Sequence, residues 1–151
     1  MASSREQQLS EALFAVYDVV ARTEEALAPA LREYGITATT AHVLWTIDPG
    51  EPAPSMRTVA QRAHCSPQNV TFMCQQLEAR GLVERRTSPT DKRQRVIELT
   101  ARGRTARESI VALVSTDSPL ANQPGAALDA ITDLLSARSR AVEQGAPHID
   151  A

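Results

Sequence analysis

Gln68, Asn69, Thr71, Phe72, Gln75 and Gln76 fall on one side of a helical repeat that opens at Ser66-Pro67. Most are uncharged amide or hydroxyl side chains, the kind that read base edges in a DNA major groove without adding net charge. Ser66 belongs with them as the residue that caps the repeat, and Pro67 suits the first helical position because its missing N–H is not needed there. The opposite side carries Val70, Met73, Cys74 and Leu77 at i, i+3, i+4 and i+7, the spacing of a buried helix face. Gly81 then ends the repeat as a left-handed cap. A second polar group follows. Asp91, Lys92 and Arg93 lie in the turn-rich tip TSPTDKRQ, residues 87–94, and Arg86 and Arg95 flank it. Leu82 to Arg86 and Arg95 to Leu99 read as the two strands of the hairpin that carries it. A reading helix in the major groove and a basic hairpin on the adjacent minor groove or backbone together make a winged helix-turn-helix.

The charge balance sharpens that reading. Net charge is only −2, yet residues 57–107 hold eleven Lys and Arg against four Asp and Glu, while the rest holds five against fourteen. A balance of +7 on the reading unit and −9 on its flanks is the electrostatic footprint of nucleic-acid binding on one face.

Catalytic chemistry finds little support. There is no P-loop, no nucleotide-binding glycine pattern and no paired metal-ligand spacing. His64 beside Cys65 lacks an orienting third group, and His42 has no second ligand at i+3 or i+4. No catalytic residue, metal or cofactor is expected. The two cysteines, Cys65 and Cys74, are nine positions apart, about 13 Å along a helix, too far for a disulfide. Both are expected to be structural.

The elements that must position these residues can be read in order. Ser4 to Glu33 forms a long helix with a heptad-like stripe, Leu9, Leu13, Val16, Val20, Leu27 and Leu31, expected to pack partly on its own domain and partly on another subunit. Pro29 is expected to kink or interrupt its last turns, and Gly35 breaks it. Thr37 or Thr39 caps a second helix containing Ala41, Val43, Leu44, Trp45 and Ile47, apolar nearly all round. Trp45 is expected in the core; the alternative is a pocket wall with His42, a partly exposed residue. The proline-rich connection from Asp48 to Ser55 is stiff, with room for a short strand at its end. Ser55 caps a helix to about Ala63, whose inward residues are Met56, Val59, Ala60 and Ala63. Only His64 and Cys65 separate it from Ser66, the tight turn of a helix-turn-helix. Thr100 caps a further helix with Gly103 tolerated in its first turn and Ala106, Ile110, Leu113 and Val114 as its stripe. A last helix, Ala126 to Glu143, carries Leu128, Ile131, Leu134 and Leu135 on one face, and the tail 144–151 has no periodic pattern.

With these elements in place the chain resembles the MarR (multiple antibiotic resistance regulator) family over nearly its whole length. The specific residues are Asp91-Lys92-Arg93, then, after five residues, Leu99-Thr100-Ala101-Arg102-Gly103-Arg104, and the run LEARGLVERR from Leu77 to Arg86. The resemblance implies a mainly α fold with a small antiparallel β-wing, in the order α-α-(β)-α-α-β-β-α-α. It implies one domain over 1–151, with a DNA-binding unit at 37–104 and dimerisation helices at 4–34 and 105–143. It also implies a homodimeric transcriptional regulator, expected to be a repressor, on a palindromic operator in double-stranded DNA, with a small-molecule effector that weakens binding. By the same resemblance Arg93 enters the minor groove and Asp91 holds it by an ion pair. Two departures stand out. His64 occupies a turn where glycine is common and positive φ is expected. Phe72 sits where relatives often carry a polar or basic residue, and suits a thymine methyl. The family's pocket residues vary too widely to carry a ligand over.

Two other functions compete: a cysteine-based redox-sensing regulator, and a winged-helix protein-interaction module without DNA binding. No run is apolar enough for a membrane span, and residues 1–10 show no signal-peptide pattern. The expected location is cytoplasmic.

Overall fold

Five helices begin on a Ser or Thr whose side-chain oxygen accepts from the amide three residues on: Ser4, Thr37, Ser55, Ser66 and Thr100. The structure, a computed structural model, describes residues 4–144, with side chains to Ser136. The order is α1 (Arg5–Tyr34), α2 (Ala38–Trp45), α3 (Met56–Arg62), α4 (Pro67–Ala79), β1 (Val83–Thr87), β2 (Arg95–Leu99), α5 (Ala101–Asp117) and α6 (Gly125–Gln144). Thr37, not Thr39, caps α2, in a reciprocal capping box with Thr40. The expected tail lies outside the described residues from 145 on, while Gln144 still belongs to α6.

Three helices close with the same motif, a left-handed residue whose successor bonds back across the last turn. Gly35 has φ 64° with Ile36 N–H donating to Leu31, and Gly81 has φ 70° with Leu82 N–H donating to Leu77. The third is His64, φ 50°, with Cys65 N–H donating to the Ala60 carbonyl at 3.0 Å. His64 is the one non-glycine with positive φ among the described residues. This is the turn of the helix-turn-helix, and a side chain there is strained. His64→Gly is expected to raise stability by about 0.5–1 kcal/mol, the αL strain relieved less the added chain entropy of glycine. Thermal unfolding of both proteins checks this; a lower midpoint for the glycine variant would show that the imidazole contributes more than its backbone costs.

The core is built from α2, α3 and α4, the C-terminal third of α1, the hairpin and the start of α5, around Leu44, Val59, Val70, Leu77, Leu82, Ile97 and Ile110. Pro29 does not end α1, because Leu27, Ala30 and Tyr34 are buried on either side of it and hold the last turns in place. The stripe on α1 divides. Leu27 is buried and Leu31 packs on the core, whereas Leu9, Leu13, Val16 and Val20 are exposed. Leu128, Ile131, Leu134 and Leu135 of α6 are exposed as well.

β1 and β2 pair antiparallel from Val83↔Leu99 to Thr87↔Arg95. The first strand starts one residue later than expected, since Leu82 is used on both sides: its N–H closes α4 and its carbonyl accepts from Thr100 N–H at 3.1 Å. The strand expected before α3 is reduced to a single bridge, Ser55 to Val96, beside Ile97 N–H donating to the Pro54 carbonyl at 2.9 Å. Gly103 is required rather than tolerated. A Cβ there would lie 1.8 Å from the Leu82 carbonyl oxygen, so the first turn of α5 sits directly on the chain leaving α4.

Candidate nucleic-acid interface

The reading helix α4 starts where the sequence places it. The Ser66 Oγ accepts from Asn69 N–H at 3.2 Å. Val70, Met73, Cys74 and Leu77 are buried against α2, α3 and β1. That packing turns Gln68, Asn69, Phe72, Gln75 and Gln76 outward, all exposed. Gln76 belongs to this face as much as the others, one turn after Phe72. Thr71 is at the margin: it is half-buried and its hydroxyl donates to the Pro67 carbonyl at 2.9 Å.

The wing tip is organised by its own short side chains. Ser88 is buried, its N–H donates to the Gln94 carbonyl at 2.8 Å, and its Oγ lies 3.3 Å from the Thr90 and Asp91 amides. Asp91 Oδ1 accepts from the Arg93 backbone N–H at 2.9 Å. This corrects the expected ion pair: the carboxylate closes the loop through the amide, as Asp does in Asx-turns, and does not hold the guanidinium. Lys92 and Arg93 are exposed, with no carboxylate partner among the described residues. Arg95 donates to the Thr87 hydroxyl at 3.0 Å.

Arg86 departs from expectation. Its guanidinium lies 2.6 Å from Glu84 and 3.1 Å from Glu98, so two carboxylates on the hairpin neutralise it. Arg85, its neighbour, is tied to α4: its Nε stands 3.0 Å from the Glu78 carboxylate, off the hydrogen-bond line, and its Nη2 reaches the Thr71 carbonyl at 3.5 Å. The hairpin base thus spends its cations on internal carboxylates, and the tip keeps its own free. Arg57, near the start of α3, is also exposed and without a carboxylate partner among the described residues. In the sequence it figures only as part of the charge excess; pairing is a property of the fold and leaves no linear signal.

Trp45 is not in the core. It is 37% exposed and, with His42 and Ala38 of α2, faces Val20, Glu24 and Leu27 of α1 across an open, mostly apolar groove. Its helix is eight residues long, too short to bury every side, and Ala41, Val43 and Leu44 take the inward positions. The Trp45 carbonyl accepts from Arg107 Nε at 3.3 Å, which ties this wall to α5. The His42 imidazole is held below its usual value, first by lost hydration and second by the nearby charge of His64. The α1 side of the groove is absent from the sequence reading because it exists only once α1 packs on α2. Neither cysteine is bonded. Cys74 is buried and its thiol is pushed up to about 11, mainly by lost hydration. Cys65 is half-buried, its Sγ donating to the Ala63 carbonyl at 3.1 Å.

Among the described residues no helix is long and apolar enough to cross a membrane.

Residues 34–94 match the model of the MarR family. Solved structures share the fold over most of their length. CouR from Rhodococcus jostii RHA1, bound to p-coumaroyl-CoA, is 23% identical with a TM-score of 0.71, over 89% of this chain and 94% of that one. The transcriptional repressor CouR bound to a 23-mer DNA duplex is 25% identical with a TM-score of 0.67, over 91% and 99%. AbsC, a MarR family transcriptional regulator from Streptomyces coelicolor, is 17% identical with a TM-score of 0.71, over 95% and 99%. No curated protein matches the sequence.

Proposed function

We propose, for a chain that carries the MarR-family winged helix over residues 34–94, that it is a sequence-specific DNA-binding transcriptional regulator, non-catalytic and cytoplasmic. In this reading it is a repressor that holds a palindromic operator as a homodimer and is released by a small-molecule effector. The observation that carries it is the pairing of an exposed, uncharged α4 face with a wing tip whose Lys92 and Arg93 have no acidic partner among the described residues. Gln68, Asn69 and Phe72 meet base edges in the major groove, with Gln75 one turn further towards the backbone. Arg93 enters the minor groove, Lys92 and Arg95 meet phosphates, and Arg86 serves the hairpin. The CouR–DNA structure, at 25% identity, supports the DNA-binding reading.

The exposed stripes of α1 and α6 supply the dimer, with 4–34 and 105–143 as its helices. The groove lined by His42 and Trp45 is the effector site, open on one side and mostly apolar as ligand sites are. CouR's complex with p-coumaroyl-CoA supports a ligand-responsive reading without naming this chain's ligand. A redox-sensing role gains nothing from Cys74, whose thiol at about 11 holds no thiolate at neutral pH.

A salt titration of affinity for an operator and a scrambled duplex tests the division of labour. Arg93→Ala is expected to weaken both duplexes and to lower the salt slope by about one unit. Gln68→Ala leaves the slope unchanged, loses on the order of 1–3 kcal/mol on the operator and relaxes one position. Asp91→Ala falls between wild type and Arg93→Ala, since the cation survives on a loosened loop. An Arg93→Ala protein with unchanged affinity and slope would exclude the wing as a DNA contact.

A further inference from the structure

We propose that Phe72 reads the C5 methyl group of a pyrimidine in the major groove, so that the protein prefers thymine to cytosine at one position of each half-site and accepts 5-methylcytosine there. The proposal rests on the DNA-binding reading above and adds what the reading helix recognises.

Phe72 is 60% exposed. Among the described residues every other large apolar side chain exposed to this degree or nearly so lies on α1 or α6, apart from Trp45 at the groove. Phe72 therefore does not continue the apolar stripes of the terminal helices; it stands alone on the reading face. Its place there is central. Gln68 and Asn69 lie one turn before it and Gln75 and Gln76 one turn after, all exposed. The core side of α4 is already filled by Val70, Met73, Cys74 and Leu77, and Phe72 stands outside it, at the rim of an open groove shared with Thr37, Thr39 and Thr40 of α2.

A phenyl ring at the centre of such a face has one complement in the major groove. The base edges there present donors, acceptors and a single kind of apolar group, the thymine C5 methyl. Cytosine has a bare C5–H at the same place, and methylation at C5 restores the apolar group without altering pairing. The neighbouring side chains agree. Amides at Gln68 and Asn69 match the N6 and N7 of adenine, and the exposed face has no Arg or Lys to read guanine and no Asp or Glu to read cytosine N4. Ring and amides together suit A·T pairs.

The test uses the full-length dimer and a duplex selected by it from a random pool. Each thymine is replaced singly by deoxyuridine, which removes only the methyl. One position per half-site is expected to weaken wild-type binding roughly three- to tenfold, the loss of one buried methyl. Cytosine there weakens binding at least as much, 5-methylcytosine regains the methyl's share of that loss over cytosine, and Phe72→Ala binds the thymine and deoxyuridine duplexes alike. A selected duplex that tolerates uracil at every position overturns the proposal, as does a uracil effect that persists in Phe72→Ala. Failure to select any duplex instead overturns the DNA-binding reading beneath it. The wild-type uracil scan needs no variant, so its outcome does not depend on how the substituted helix folds.

Discussion

Deletion of residues 126–151 is expected to give a folded monomer whose operator affinity falls by roughly 10²–10⁴-fold, the avidity lost when two linked reading heads become one. The fold should survive because none of the described side chains of α6, up to Ser136, belongs to the core cluster. The association should not, because Leu128, Ile131 and Leu134 on α6 and Leu9, Leu13, Val16 and Val20 on α1 are all exposed in a single chain. Contiguous apolar patches of that extent on a soluble protein mark an interface, and a stable one buries about 1,600 Å² in total. A two-fold dimer would set the two α4 helices about one DNA turn apart, roughly 34 Å. Leu134→Glu and Leu13→Glu should weaken the dimer in the same direction without removing a helix. Sedimentation equilibrium reads the mass and an operator titration the affinity. A strictly monomeric deletion that holds its operator as tightly as the full chain would refute the dimer model.

Gly103→Ala should be the most destabilising single methyl added to the chain, by about 3 kcal/mol or more. The added Cβ would sit 1.8 Å from the Leu82 carbonyl oxygen, a backbone atom with no rotamer to yield. Relief requires lifting the first turn of α5. That breaks the Thr100 N–H bond to Leu82 at 3.1 Å and strains the Thr100 hydroxyl bond to the Gly81 carbonyl at 2.6 Å. Those two bonds are how α5 is fastened to the end of the reading helix, so DNA binding should suffer with stability. Gly125→Ala is the control. It begins α6 with nothing within 4 Å of its Cβ, and should be neutral or stabilising by up to about 1 kcal/mol. Denaturant unfolding of the two variants gives the comparison; equal midpoints would mean that α5 has slack at its start.

These cases show which parts of the molecule are legible in one dimension. The caps at Ser55, Ser66 and Thr100, the stop at Gly81 and the buried faces of α3 and α4 are written within a few residues of where they act, and sequence reading places them. The strained turn at His64 is found as well, through the resemblance to a family in which glycine commonly stands there. What escapes it is every feature that needs a second segment. Gly103 looks like a tolerated helix glycine until Leu82 is packed beneath it. Arg86 looks like a free cation until Glu84 and Glu98 close on it. Asp91 has the right type and spacing for an ion pair with Arg93, but the backbone amide is nearer to hand. Trp45 reads as core because composition counts apolar residues without counting how many sides of a short helix can be covered. Of the proposed site, the α4 face is legible almost whole, the wing in part, and the groove only by two of its residues.

The bridge from Ser55 to Val96, with Ile97 N–H on the Pro54 carbonyl, has a mechanical consequence. It joins the entrance of α3 to the outer edge of the hairpin, so the wing cannot hinge at its base without breaking a main-chain link. Compliance is left to the seven residues between Thr87 and Arg95, and on the proposed DNA-binding reading differences in groove width would be met by the reach of the Lys92 and Arg93 side chains. Any signal from the α1–α2 groove would then turn each reading unit as one stiff plate, altering the distance between two plates while leaving the shape of each intact. Amide hydrogen exchange would register this as protection at Ile97 that outlasts protection at Lys92 and stays unchanged when the spacing shifts.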